Sequence, residues 1–547
     1  MGINHFYAII QIIKIKILHM LPKKITGLLT KKRLALIFIT LIVAAGFFLR
    51  IYNIDNTPPG IYPDEAVNGE DALRANATGE YQWFYPANQG REGLFMNLIA
   101  FCFKFFGASI LTLKLPAILS STLTIIGIYL LTKELFGKRA GLFSAYLSAF
   151  SFWAINFGRI SFRANMLPMV LSFSFYFLYK GLRTKKLTDF ALGGIIFGIG
   201  LHTYIAFRIA PLILVFALIG LIISRENFLK NYWKHILTFV FWTTLIAGPM
   251  LYTFFYAHPE YLESRSSEIS VFSPERNHGH PYLTLLRSLS LSLIKYNLVG
   301  DQNWRHNYPP YAILDPISGT AFVFGFIYSL ITIFKLTYYR FKDKLRDTNL
   351  DVHIFLMAWF FAMLVPEFLT AEGNPHALRS IGTLPVVFIL ASLTFTFLLN
   401  CSKNASCLFK KIHIAFIIII LATIGIFNSV KYHYFWANQT IVGKSFNKNL
   451  TDMSKYLQTL PKEQEKFVVT SYNTLEKLPI FIFNQGNNVT FLYPNELNKI
   501  NPKNEKNFLV FFTENNQDAM RAIQQKFPNL NLQEIDNSLD SVYYILK

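Results

Sequence analysis

Charged side chains are scarce in this sequence. They make up 15% of its 547 residues, against 52% hydrophobic and 16% aromatic, and that balance excludes an ordinary soluble protein of this length. Cysteine is scarcer still: Cys102, Cys401 and Cys407 stand in distant segments, which excludes a disulfide framework and a cysteine-rich zinc module. The N-terminus lacks the small-residue cleavage pattern of a secretory signal, and Lys14 and Lys16 interrupt its apolar run. Residues 1–32 therefore read as a cytoplasmic or interfacial segment ahead of an uncleaved first span. No internal repeat is found, which counts against an inverted-repeat transporter.

Long apolar runs, by contrast, are abundant. Eleven approach the length at which a helix crosses a hydrocarbon core of roughly 30 Å while satisfying its own backbone: 33–51, 110–131, 140–157, 164–182, 190–207, 209–223, 235–256, 318–336, 352–370, 381–400 and 412–430. The net charge of +20 would suit a nucleic-acid partner, but the positions of the cations argue otherwise. Lys and Arg number seven before position 34, three in 132–140, four in 178–189, three in 224–235, five in 335–348 and three in 402–411. These segments alternate with the spans, so the cations are topology signals that predict a multi-pass protein of the plasma (inner) membrane with a cytoplasmic N-terminus. The connection 52–93 is the opposite: Arg74 and Arg91 face Asp55, Asp64, Glu65, Glu70, Asp71, Glu80 and Glu92, so it is expected outside.

Three segments beyond the spans are long enough to carry function. In the first, 52–109, turn chemistry at Pro58, Pro59 and Gly60 leads to a polar helical stretch and then to the apolar stretch 94–106, too short to cross; crossing parity makes the latter an outer juxtamembrane helix. The second, 257–317, is a long polar and aromatic loop with Trp304, Arg305 and Tyr308 near its end, expected to cap the same cleft. In the third, 431–547, β-rich runs at 467–472, 507–513 and 542–546 alternate with amphipathic stretches at 444–460 and 516–527. This predicts a small extracytoplasmic α/β domain after a catalytic membrane domain at 33–430.

Tyr62-Pro63-Asp64-Glu65 is the sharpest local feature. A carboxylate just beyond the first span can act as a general base toward a hydroxyl or hold a divalent cation. The competing reading makes Asp64 the N-cap of the helix that follows.

At this point the chain resembles a known family. The Asp64-Glu65 pair after the first span, Ala72-Leu73-Arg74, Thr78-Gly79-Glu80-Tyr81, Arg91 before an apolar helix, Phe106-Gly107, Lys114-Leu115-Pro116, Tyr129-Leu130 and Lys133-Glu134-Leu135-Phe136-Gly137 look like the family 39 glycosyltransferases of the GT-C fold. That group includes protein O-mannosyltransferases and the aminoarabinose transferases of lipid A. The likeness covers roughly the first 210 residues. It implies a polytopic helix bundle that transfers a sugar from a polyprenyl-phosphate donor to a protein, lipid or glycan hydroxyl in cell-envelope glycosylation. By position it makes Asp64 the catalytic carboxylate, Glu65 its partner and Arg91 a cation for donor phosphate. Two departures stand out. Arg91-Glu92-Gly93 replaces a common Lys-Pro-Pro run, and Asn165 stands where some relatives carry a second carboxylate, which weakens a metal site built on Asp64.

Arg159 and Arg163, four apart at an outward turn, and Arg208 and Arg379 in other outward connections are further candidates for donor phosphate, because guanidinium groups donate paired hydrogen bonds. Snorkelling to lipid headgroups is the alternative. Tyr62, His202, Tyr204 and His376 are expected to line the cleft, with His202 alone also readable as a satisfied interior histidine. His278 and His280 lack further ligands nearby, and the sequons at Asn76, Asn404, Asn438, Asn449 and Asn488 decide nothing. No organic cofactor is expected, and a divalent cation is left open. The rival functions are a flippase or transporter, and a scaffold whose 431–547 domain binds a partner.

Overall fold

A computed structural model describes residues 31–86, 90–262, 268–402, 405–473, 475–504 and 507–547. The expected interfacial segment up to position 30 and Asn404 lie outside these residues.

The chain is mainly helical. After α1 (Lys31–Ile51) come α2 (Pro63–Thr78), a hairpin of β1 (Phe84–Tyr85) and β2 (Arg91–Glu92), and α3 (Leu94–Phe106). The bundle continues with α4 (Ile110–Phe136), α5 (Lys138–Phe150), α6 (Phe152–Gly158), α7 (Met166–Thr184), α8 (Leu187–Gly200), α9 (Pro211–Ser224) and α10 (Phe228–Tyr252). It closes with α11 (Pro281–Ile294), α12 (Pro316–Lys342), α13 (Thr348–Phe368), α14 (Leu384–Cys401) and α15 (Cys407–Val430).

Among the described residues eight helices are long and apolar enough to cross a membrane, and the pair α5–α6, bent by 60°, makes a ninth. The expected eleven runs all fall on helices, but two stop short of that standard. Helix α7 carries Lys180 and Arg183 near its end. Helix α8 has 14 residues, about 21 Å of rise, before the chain turns into a short 3₁₀ segment. Burial sorts the spans. In Ile381–Cys401, 78% of the most apolar stretch is buried, against 22% in Cys407–Trp436, so α14 runs through the middle and α15 along the rim. Exposed Leu36, Phe38, Leu41 and Phe48 give α1 a lipid-compatible face, as expected where lipid replaces water.

The two kinds of connection separate in space. At one end of the bundle basic residues meet neighbouring helices: Arg225 pairs with Asp351 at 2.9 Å, and Arg340 donates to the Ile223 carbonyl at 2.9 Å. At the other end the 52–62 turn, the β1–β2 hairpin and the loops after α6, α8, α10 and α13 converge.

Beyond α15 lie α16 (Thr440–Ser445), α17 (Lys448–Thr459), β3 (Glu465–Val469), α18 (Leu478–Phe483), β4 (Val489–Leu492), β5 (Phe508–Phe512), α19 (Gln517–Lys526), β6 (Leu532–Asn537) and β7 (Ser541–Leu546). The strands form one sheet in the order β4-β3-β5-β7-β6, with β4, β3 and β5 parallel and β7 antiparallel to β5. Side chains alternate across β5, as a strand requires. Phe508, Val510 and Phe512 pack with Ala519, Met520 and Ile523 of α19, while Leu509 and Phe511 pack with Leu450, Met453 and Leu457 of α17.

Candidate active site

Helix α2 fixes the acidic pair. Pro63, with its preset φ and no amide hydrogen, takes the first helical position, so Tyr62 in extended conformation is the cap. Asp64 is then the second helical residue and does not cap the helix. Glu65, the third, turns back to accept the Tyr62 amide at 3.0 Å and also accepts the Ser161 amide at 2.7 Å. It is fully buried, with Lys114 Nζ 3.9 Å away. Burial raises its carboxyl above the ordinary value, and Lys114 offsets this only in part. The expectation that the two carboxylates work side by side therefore fails on geometry: Glu65 braces the backbone from inside, while Asp64 stays half-buried. Asp64 has no ion-pair partner within 4.0 Å among the described residues. The Tyr62 hydroxyl is pushed up to about 12, first by burial and then by the neighbouring Asp64 carboxylate.

The arginines expected to meet phosphate divide into several groups. Arg159 is a correction. It is fully buried and donates to the carbonyls of Leu49 (2.7 Å), Tyr52 (2.6 Å) and Thr57 (2.6 Å). These are the carbonyls that the end of α1 and the following turn leave without helical partners, so Arg159 closes that terminus from the side. Arg91, also buried, pairs with Asp71 and donates to Asn68 Oδ1 at 2.9 Å. Arg163 donates to Glu92 at 2.8 Å and lies over the ring of Tyr204 at 5.6 Å. Arg208 donates to the Leu262 carbonyl at 2.8 Å and stacks on Phe254 at 4.2 Å. Arg379 contacts the Glu372 carbonyl and carboxylate. His202 has its Nε2 2.9 Å from the Ile246 carbonyl, the satisfied histidine of the competing reading.

A further cation, from the 257–317 loop, stacks on Tyr62, the residue that caps the helix of the acidic pair. Arg305 places its guanidinium carbon 4.2 Å over the ring of Tyr62. Its Nε donates to Asn303 Oδ1 at 3.0 Å, and it forms no ion pair within 4.0 Å among the described residues. The available signal was a cation between Trp304 and Tyr308 in an overlong loop.

The next residue belongs to a second cluster. Asp301, His306 and His376 bring their ligand atoms within 4.8 Å of one another. Asp301 Oδ2 lies 3.0 Å from His306 Nδ1 and 4.0 Å from His376 Nδ1. The amides of Asn303 (2.8 Å) and Ala377 (2.7 Å) hold the Asp301 carboxylate, and the two imidazoles lie 4.8 Å apart. His376 was expected in the cleft; Asp301 and His306 were missed. Asn165, at the position of the second carboxylate of some relatives, donates its amide to the carbonyls of Phe157 (2.6 Å) and Ile160 (3.0 Å).

The whole architecture matches solved membrane enzymes. The apo ArnT of Cupriavidus metallidurans aligns with a TM-score of 0.51 at 13% identity, over 94% of this chain and 98% of its own. The apo oligosaccharyltransferase of Archaeoglobus fulgidus aligns with a TM-score of 0.51 at 15% identity, over 92% and 70%. This chain has the GT-C fold. Within the GT-C bundle, residues 94–252 match the family described as dolichyl-phosphate-mannose-protein mannosyltransferase, a stretch that begins shortly after Arg91 and leaves Asp64 outside it. ArnT bound to undecaprenyl phosphate also aligns, with a TM-score of 0.50 at 13% identity over 94% of the GT-C chain and 98% of its own. No curated protein matches the sequence.

Proposed function

We propose that this GT-C protein is a membrane glycosyltransferase that moves a sugar from a polyprenyl phosphate to a hydroxyl acceptor at the extracytoplasmic face. One observation carries the reading: a half-buried carboxylate without an ion-pair partner, Asp64, beside an aromatic ring whose face holds the guanidinium of Arg305. Base and cation thus flank one small region, as transfer from a phosphate requires.

Asp64 accepts the proton of the acceptor hydroxyl while that oxygen bonds to the anomeric carbon. The bond from this carbon to the phosphate oxygen breaks, and its electron pair leaves with the phosphate, where Arg305 meets the developing charge. Tyr62, protonated at any working pH, orients the Asp64 carboxylate. Arg91, Arg163 and Arg379, already engaged with protein acceptors, shape the surrounding field. The matched fold and the family match at 94–252 support this reading; nothing among the comparisons favours a flippase.

A divalent cation fits Asp301, His306 and His376 better than Asp64. Two imidazoles and a carboxylate form a three-ligand set of the kind that leaves a coordination position open. Bound there, an ion supplies Lewis acidity next to Arg305. The test of function is incubation of the purified protein with a panel of polyprenyl-phosphate sugars and membrane extract, followed by mass spectrometry of products. Consumption of a donor with sugar added to an acceptor is expected; failure to consume any donor would overturn the assignment.

A further inference from the structure

The sheet region after position 440 grips the segment that carries Asp64, and it does so at backbone level. The amide of Ile61, three residues before Asp64, donates to Thr451 Oγ1 of α17 at 3.1 Å in a buried setting. At Gly60 the two chains approach so closely that a Cβ would lie 2.2 Å from the Phe446 carbonyl. Lys455 reaches the Asp55 carbonyl at 2.7 Å and Asn56 Oδ1 at 3.0 Å. Farther along α2, Gly69 accepts Ile482 of α18 so tightly that a Cβ would meet its Cδ1 at 2.9 Å. Leu478, Ile482 and Phe483 share one buried cluster with Ile61, Ala66 and Ala72.

These contacts have a specific geometric consequence. Asp64 is the second residue of its helix, where the helix's own hydrogen bonds constrain the chain least. Its direction is set by where residues 60–62 enter. On one side Arg159 holds the Thr57 carbonyl; on the other, Thr451 holds the Ile61 amide. A deep apolar contact without these polar ties would leave the entry angle of α2 free to rock, and catalytic groups lose rate steeply when displaced by about 1 Å.

We infer that the C-terminal α/β region is a positioning element of the transfer reaction, with Thr451 the positioning residue that aims Asp64 through the Ile61 amide. The inference rests on the assignment of Asp64 as base. The region is thus integral to turnover, where the sequence left open a detachable partner-binding module.

The test uses the full-length protein in nanodiscs with Thr451→Val, Thr451→Ser and, as a control on the exposed strand β6, Gln533→Ala. Three readouts are followed: hydrogen exchange of the amides in 61–78, binding of undecaprenyl phosphate, and turnover with the donor sugar the protein consumes. Thr451→Val is expected to speed exchange in 61–78 and lower kcat by about 10-fold, the worth of one hydrogen bond. Undecaprenyl phosphate binding and the donor KM should stay unchanged, Thr451→Ser should restore both losses, and Gln533→Ala should change neither. Unchanged exchange and kcat in Thr451→Val would overturn the inference. So would equal loss of lipid binding, which would reveal a merely structural role. Asp64→Asn, run alongside, separates the two claims: an active Asp64→Asn refutes the base, whereas an inactive one with a fully active Thr451→Val refutes only the positioning.

Discussion

Arg305 lies with its guanidinium carbon 4.2 Å above the ring of Tyr62, so a cation from the loop between α11 and α12 is stacked two residues ahead of Asp64. Stacking one face on the ring orders the side chain and leaves the in-plane N–H edge of its terminal nitrogens to donate to a phosphate. Arg305→Ala should weaken binding of undecaprenyl phosphate by about 10- to 100-fold, the range for hydrogen bonds to a charged group. Arg305→Lys should recover only part of this. Titration of the purified variants checks both; wild-type affinity in Arg305→Ala would move the phosphate elsewhere.

Arg159 should behave in the opposite way. Its loss leaves the Leu49, Tyr52 and Thr57 carbonyls without their buried donor, so Arg159→Ala should cost about 3 kcal/mol of stability. The fraction that still folds should bind undecaprenyl phosphate normally. Thermal unfolding in detergent, followed by lipid titration, distinguishes the two arginines.

What the sequence made legible, and what it hid, follows from the range of each signal. Span positions are written locally as apolar runs, and nearly all were readable; α7 and α8 fell short because a run can include charged ends or break early. The orientation of the acidic pair was also local. Pro63 marks the first helical position and makes Tyr62 the cap, so Glu65 is the third residue, which reaches back to its cap. Reading Asp64 as a cap candidate overlooked that proline. The remaining partners are not local at all. Nothing in one sequence ties Arg305 to Tyr62, Asp301 to His376 or Thr451 to Ile61, because each pair meets only after the bundle closes. The role of Arg159 was hidden for the same reason: an arginine at a membrane boundary looks identical whether it faces a phosphate or the carbonyls of a helix end.

The Asp301–His306–His376 cluster predicts a metal stoichiometry. Purified protein dialysed against Co²⁺ should bind one ion with the visible absorption of a low-symmetry site. His306→Ala and His376→Ala should each lower that affinity by at least about 10-fold, as loss of one ligand implies. A cobalt spectrum unchanged in both variants would exclude the cluster as the ligand set.

Glu65 predicts a pH dependence of stability. Burial holds its folded-state carboxyl above the ordinary value, so the folded protein retains the proton more readily than the unfolded chain. The stabilisation this provides is complete below the ordinary carboxyl range and is lost as pH rises through the raised value. Glu65→Gln removes that titration but also one of the two backbone bonds to Glu65, a loss of about 1–3 kcal/mol. Thermal midpoints measured from pH 4 upward should therefore show the wild-type advantage narrowing with rising pH; an advantage that widens would reverse the assigned direction.

The most direct measurement is transfer by Asp64→Asn. With a donor that the wild type consumes, mass spectrometry of the acceptor should show product formation reduced by about 10² to 10⁴, the usual cost of removing a general base. The variant should still insert, unfold at the wild-type temperature and bind undecaprenyl phosphate. Product formed by Asp64→Asn at the wild-type rate would contradict the account.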